Sequence, residues 1–178
     1  FAMAALVFVL TRPFAQPIEP NMEFGVWVLW LPAALVCIAL QTGAEELLFR
    51  GYLQSQLAAR FRNAAIWLFV PSLLFGIAHL APGLPVNAAL GYVIFAALFG
   101  LMAADLTART GTIGAAWGFH FANNSIAIVF IVAQGSLSGL GLFRSGDLVD
   151  ALALTPLVLF ELVALAMVWL LIRRVVTV

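Results

Sequence analysis

Four stretches of this chain, residues 24–44, 63–104, 110–143 and 162–172, contain no Asp, Glu, Lys or Arg. Charged residues make up 9% of the whole, against roughly 25% in soluble domains, so too little polar surface remains to face water. In hydrocarbon the backbone must satisfy its own polar groups, which leaves helices or closed barrels. The runs are too long, and alternate too little, for barrel strands. The sequence therefore predicts an all-α, polytopic transmembrane helical bundle with spans at 1–11, 24–43, 44–61, 64–80, 87–106, 112–133 and 151–172. That is about six to seven membrane helices in a single transmembrane domain, 1–178, with a motif core at 41–133. The first run opens on Phe1 and reads as the remainder of an incomplete span, since it has neither a basic leader nor a cleavage site.

Breaks are expected at the turn-rich segments "RPFAQPIEPN", "RFRN", "APGLP", "TARTGT" and "QGSLSGLGLFRSGD", with kinks at Pro32, Pro71 and Pro156. Residues 24–61 as one helix would measure about 57 Å, against a hydrocarbon core of about 30 Å. A break near Gln41-Thr42-Gly43 is therefore expected, with 44–61 as a separate, more polar element. Arg60, Arg62, Arg109, Arg173 and Arg174 fall in turns that alternate spans place on one side, while Arg144 lies opposite, beside Asp147 and Asp150. The positive-inside rule makes the first set, and the C-terminus, cytoplasmic. All eight basic residues are Arg, a bias of high-GC bacterial genomes, so the expected bilayer is the bacterial inner (plasma) membrane. A net charge of zero gives no footprint for nucleic acid. Cys37 stands alone in an apolar run, where it packs and offers neither a disulfide nor a cysteine metal site.

Within these spans the rare polar residues coincide in depth. Glu45 lies 15 residues before Arg60, His79 lies 15 after Ala64, and Asn124 lies 15 after Arg109. At the helical rise each is about 22 Å from the Arg-rich face, with His120 at about 16 Å. Ionisable side chains at such depth face the bundle interior and mark function. Glu46 and Arg50 share a face at i, i+4 and neutralise each other, while Glu45 is turned away by about 100°. His120 and Asn124, also i, i+4, point into one space; Gly114, Gly118 and Ala122 form a small-residue packing stripe opposite them. A desolvated Glu with a nearby His can deprotonate a water, and a His–Asn pair can donate to an oxyanion. Ser72 and Ser125 stand near the two histidines in sequence, but no buried Ser–His–Asp or Cys–His set competes.

The segments "EELLFRG" at 45–51, "FGIAH" at 75–79 and "HFANN" at 120–124 resemble the EExxxR, FxxxH and HxxxN motifs of the CPBP family of intramembrane proteases. That family includes the type II CAAX prenyl endopeptidases and bacterial proteins linked to bacteriocin processing and immunity. The resemblance implies an intramembrane endopeptidase acting on a membrane-embedded or membrane-anchored peptide through a glutamate-activated water. Carried over, Glu45 and His79 activate the water, and His120 and Asn124 form the oxyanion site. Glu46 and Arg50 orient the site, with Glu46 holding His120. No cofactor is implied, and no metal is expected, because there is no HExxH helix and Asn is a poor zinc ligand.

Plainer roles compete with these. Glu46–Arg50 is as well read as a structural ion pair, His79 as a helix cap, and His120–Asn124 as interhelical hydrogen-bond glue. Trp27, Trp30 and Trp67 read as interface anchors. Glu161, deep in "LVLFELVALAMV", is expected to have a structural partner such as Arg50, the motif helices or another subunit. At the level of the whole protein the alternative is a non-proteolytic membrane subunit that binds or helps assemble a larger complex. A proton-coupled transporter ranks lower, because no paired broken helices are present.

Overall fold

Residues 24 to 60 form one helix, α1 (Phe24–Arg60), rather than two. The computed structural model describes residues 18–134, 138–147 and 156–176; the span expected at 1–11, Arg12 and Asp150 lie outside them. The break expected at Gln41-Thr42-Gly43 is absent, because α-helical bonding runs unbroken over Phe24–Glu46. Thr42 turns its hydroxyl inward to the Ile38 carbonyl at 2.8 Å, so its polarity does not interrupt the helix. The change comes later and is of another kind. Leu47–Gln54 is π-helical, after which Ser55–Arg60 returns to α-geometry.

The π segment has a cause in the buried row. Thr42, Glu46, Arg50 and Gln54 are all buried at a spacing of four. In an α-helix every four-residue step turns the row by about 40°, which would carry Gln54 off the protein-facing side. A wider i→i+5 turn keeps residues four apart more nearly in line. Arg50 and Gln54 thereby both reach the next-but-one helix.

The chain returns as α2 (Ala64–Ala78), capped by the Asn63 side chain on the Ala65 N–H at 3.0 Å. It then forms α3 (Val86–Thr110), α4 (Gly114–Ser125) with a π-helical extension over Ile126–Phe130, and finally α5 (Pro156–Val176). Pro32 and Pro71 lie inside helices without ending them. At the end of α3 Gly111 takes φ 68°, a left-handed conformation that suits glycine, and closes the helix through its N–H to the Thr107 carbonyl. Helix α3 is central. Its Ala96, Phe99, Ala103 and Leu106 form the core with Phe75 of α2, Ala116 and Phe119 of α4, and Leu165, Val168 and Trp169 of α5.

Among the described residues the regular structure is helical apart from one small sheet. β1 (Glu19–Pro20), β2 (Ile131–Gln134) and β3 (Phe143–Asp147) pair in the order β1-β3-β2, antiparallel then parallel. Glu19 and Arg144 bridge β1 and β3 at 2.8 Å. Beneath the sheet Trp27 is buried and donates its indole N–H to the Val129 carbonyl at 2.8 Å. Trp27 is thus a core residue rather than the interface anchor expected of it; Trp30, three residues on, is exposed.

The outer surface is apolar. Leu29, Leu40, Leu73, Ile77, Val86 and Leu159 are all exposed, and the medium that suits such a surface is lipid. Two of the described helices, Phe24–Arg60 and Val86–Thr110, are long and apolar enough to cross a membrane. Cys37 is free and exposed, not packed. The Gly114–Gly118–Ala122 stripe is exposed as well, and a Cβ on Gly118 would meet nothing within 4 Å, so no described helix uses it.

The close approach lies elsewhere. A Cβ on Gly76 would sit 2.6 Å from the Val93 carbonyl oxygen and 2.8 Å from Ala97 Cβ. Helices α2 and α3 touch there, three residues before His79. Gly76→Ala is expected to destabilise the fold by about 1–3 kcal/mol through overpacking, whereas Gly118→Ala leaves the thermal midpoint unchanged. Thermal unfolding of both variants in one detergent checks this.

Candidate active site

Helix α1 brings Glu45, Glu46 and Arg50 to the crossing with α4. Trp117 of α4 donates its indole N–H to the Ala39 carbonyl and the Thr42 hydroxyl, both at 3.2 Å, and its ring lies where Gly43 has no side chain. That contact sets the two helices close enough for their polar turns to meet.

Glu46 is fully buried and its Oε1 is shared. Arg50 Nη1 donates to it at 2.9 Å, and His120 Nδ1 donates to it at 2.8 Å. The carboxylate can only accept, so Nδ1 carries the proton. Arg50 Nη2 donates to the Gly100 carbonyl at 3.1 Å, and the Gln54 amide donates to the Ala104 carbonyl at 2.9 Å. The π segment is thus pinned to α3 at two carbonyls four residues apart. The Arg50 guanidinium also sits over the Phe75 ring, 4.5 Å from its centroid.

Glu45 points elsewhere, as expected from its turn of the helix. Its Oε1 accepts from the Gln41 amide, one turn earlier. Its Oε2 is buried without a hydrogen-bond partner among the described residues and lies 3.7 Å from His120 Nε2. That separation is too long for a direct hydrogen bond. Asn124 joins the group through Gln41, donating from Nδ2 to Gln41 Oε1 at 3.3 Å. Five of the six expected residues are therefore linked by polar contacts across α1 and α4.

His79 joins differently. It closes α2, where its Nδ1–H donates to the Phe75 carbonyl at 2.8 Å, leaving Nε2 as the acceptor nitrogen of the neutral ring. The capping role is thus present. Its ring packs on Phe75 with centroids 4.5 Å apart, and Phe75 meets the His120 ring edge-on at 5.7 Å. Tyr92 of α3 stands edge-on to His79 at 5.4 Å and within electrostatic reach of Glu45. His79 therefore borders the cluster through rings and forms no direct bond to Glu45.

One expectation, an Arg50 partner for Glu161, is corrected. Arg50 is engaged with Glu46 and Gly100, and no hydrogen bond or ion pair to Glu161 is found among the described residues. The Ser72 hydroxyl donates to the Leu68 carbonyl at 2.6 Å within its own helix, and that of Ser125 is buried without a partner among the described residues, so neither serine is bonded to a histidine. Gln41, Gln54, Phe99 and Tyr92 also border the cluster and were not singled out as site residues from sequence, while Phe75 was marked only as the Phe of FxxxH. For Gln41 and Gln54 a signal existed: each lies four residues from a charged motif residue on the same helix.

A family model described as type II CAAX prenyl endopeptidase Rce1-like matches residues 25–126, a range that contains all six residues. The uncharacterized protein YyaK of Bacillus subtilis (strain 168) is 34% identical over 138 residues, covering 78% of this chain and 46% of that protein. The chain spans about half the length of that relative. No solved structure matches.

Arg50 and Glu46 give a direct test of how the buried charges are held. Arg50→Met leaves Glu46 charged and underpaired, and is expected to cost about 3–5 kcal/mol of stability. Adding Glu46→Gln to it restores much of that loss. The comparison is made by thermal unfolding of the single and double variants, and an additive double variant would contradict the pairing.

Proposed function

Because the chain belongs to the type II CAAX prenyl endopeptidase Rce1-like family, we propose that it is an intramembrane endopeptidase that hydrolyses a peptide bond with a glutamate-activated water. One observation carries this reading. Each of the two adjacent carboxylates keeps one buried oxygen without a partner among the described residues. Glu46, however, is enclosed and holds both Arg50 and His120 through its other oxygen, while Glu45 is part-exposed and brings its open Oε2 to 3.7 Å from His120 Nε2. A carboxylate maintained in that condition is suited to accept a proton.

The steps follow from the groups in place. A water hydrogen-bonded to Glu45 Oε2 gives up a proton to it as the water oxygen attacks the peptide carbonyl. His79 supports that water through Nε2. The new C–O bond turns the carbonyl oxygen into an oxyanion, to which Asn124 Nδ2–H and His120 Nε2–H donate. Since His120 Nδ1–H is committed to Glu46, a donor at Nε2 is an imidazolium, and Glu46 is its counter-ion. Breakage of the C–N bond then releases the amine, which takes the proton from Glu45.

The substrate is a membrane-embedded or membrane-anchored peptide that meets this site from the bilayer. The same reading takes the whole protein as a multi-pass bundle of about six to seven membrane helices in a bacterial inner membrane, with the C-terminus cytoplasmic. In support, Arg109 of α3 and Arg173 of α5 both approach Asp105, at 2.9 and 3.7 Å, so the basic ends of these two helices lie together.

Cleavage of a quenched fluorescent peptide library by the purified chain in detergent tests the proposal. Wild type is expected to cleave, Glu45→Ala to lose at least about a hundredfold in rate, and a metal chelator to change nothing. Chelator-sensitive cleavage would replace the glutamate with a metal site. A folded protein that cleaves nothing and co-purifies with a stoichiometric membrane partner would mark a non-proteolytic subunit instead.

A further inference from the structure

Gln41 connects the two halves of the proposed site and is given no part in the steps above. It lies on α1 one turn before Glu45, donates from Nε2 to Glu45 Oε1, and accepts at Oε1 from Asn124 Nδ2 at 3.3 Å. Asn124 in turn accepts at Oδ1 from Asn123 Nδ2 at 3.3 Å. We propose that Gln41 is a positioning residue that couples the Glu45 carboxylate to the orientation of the Asn124 amide. This inference rests on the endopeptidase reading.

The argument is one of donors and acceptors. An ionised carboxylate only accepts, so the side of the Gln41 amide facing Glu45 is its NH2. Its oxygen then faces α4, and an oxygen can be met only by the NH2 of Asn124. The Asn124 oxygen is turned to the remaining donor, Asn123. A charge on Glu45 thus sets, two residues away, which end of Asn124 is presented.

Two consequences bear on chemistry. Gln41 occupies Glu45 Oε1, so Oε2, the oxygen 3.7 Å from His120 Nε2, is the one left for a water. Asn124 Nδ2 spends one N–H on Gln41 and keeps the second for an oxyanion; a flipped amide would present an oxygen and repel it. Base and oxyanion donor are held in register by one side chain that touches neither water nor substrate.

Two variants separate the halves of this link. Gln41→Met keeps the side-chain length and removes both bonds. Gln41→Glu keeps an acceptor for Asn124 but cannot donate to an ionised Glu45. The full chain in detergent micelles is assayed with a peptide that wild type cleaves, alongside spectra of 15N-asparagine-labelled protein in which Asn124→Asp assigns the side-chain NH2 pair. Gln41→Met is expected to lower kcat by at least about tenfold and to leave KM within about twofold, with an unchanged melting temperature. The Asn124 NH2 pair moves in Gln41→Met and stays near its wild-type position in Gln41→Glu, although kcat falls in both. Wild-type kcat in Gln41→Met, or an unmoved Asn124 pair in that variant, overturns the proposal. If wild type cleaves no peptide, the endopeptidase reading fails separately, and the Asn124 spectra alone decide whether the link exists.

Discussion

One oxygen atom, Glu46 Oε1, accepts from both Arg50 and His120, and the arrangement of three helices depends on it. A buried charge without a partner costs roughly several kcal/mol, so a guanidinium between Phe49 and Phe75 is tenable only with its counter-ion and its remaining donors placed. The Gly100 carbonyl takes one of those donors, and a Cβ at Gly100 would lie 3.3 Å from Arg50 Nη2, so the helix passes close at that point. The π segment of α1 keeps Glu46, Arg50 and Gln54 in one row facing α3. The His120 bond ties α4 to the same row. Packing of the surrounding core is modest, and much of each helix is exposed to lipid. The polar row, together with the Phe75–Phe99–Phe119 contacts, is what sets the relative placement of α1, α3 and α4.

That settled pair frees its neighbour. Glu45 and Glu46 are adjacent in sequence but differ by about 100° around the helix, enough to give them different surroundings. Glu46 is enclosed with Arg50. Glu45 is part-exposed and opens towards His120, Gln41 and Tyr92; each carboxylate keeps one oxygen unbonded among the described residues, but only that of Glu45 lies on an open side. The division resembles what hydrolytic sites need: a fixed ionic frame, and beside it a group whose proton affinity is left available. His79 reaches this space from α2 by way of Phe75, a ring that also supports Arg50 and His120. The Phe and the His of the "FGIAH" segment therefore act together, one as a platform and the other as a polar edge.

Much of the site was legible because few alternatives exist in so apolar a chain. Counting residues from the Arg-rich turns placed Glu45, His79, His120 and Asn124 at similar depth, and the Glu46–His120 bond agrees for α1 and α4. Spacing of four identified Glu46–Arg50 as a pair. The misreadings share a cause, which is that polarity or smallness was judged without the partner. Gln41-Thr42-Gly43 looked like a break, yet Thr42 is satisfied within its helix, Gly43 admits Trp117, and Gln41 bonds Glu45. Trp27 looked like an interface anchor, but its N–H finds the Val129 carbonyl. The Gly114–Gly118–Ala122 stripe lies outward, while the close approach occurs at Gly76, inside "FGIAH". The π segment has no sequence mark of its own, since a spacing of four suits both helix types until α3 selects between them. The small sheet was hidden by strands of two to five residues, β1 within Pro-rich sequence and β2 and β3 on either side of a Gly- and Ser-rich segment.

The central claim is that two neighbouring glutamates divide the work, Glu46 maintaining the structure and Glu45 kept in reserve for a proton. Thermal unfolding of Glu46→Gln and Glu45→Gln, side by side in the same detergent, measures that division most directly. Loss of the Glu46 charge removes the counter-ion of Arg50 and His120 and is predicted to lower the midpoint sharply. Loss of the Glu45 charge removes a part-exposed carboxylate whose hydrogen-bond donor is the neutral Gln41 amide, and is predicted to leave the midpoint unchanged or to raise it. Equal losses in the two variants, or a larger loss in Glu45→Gln, would contradict the account.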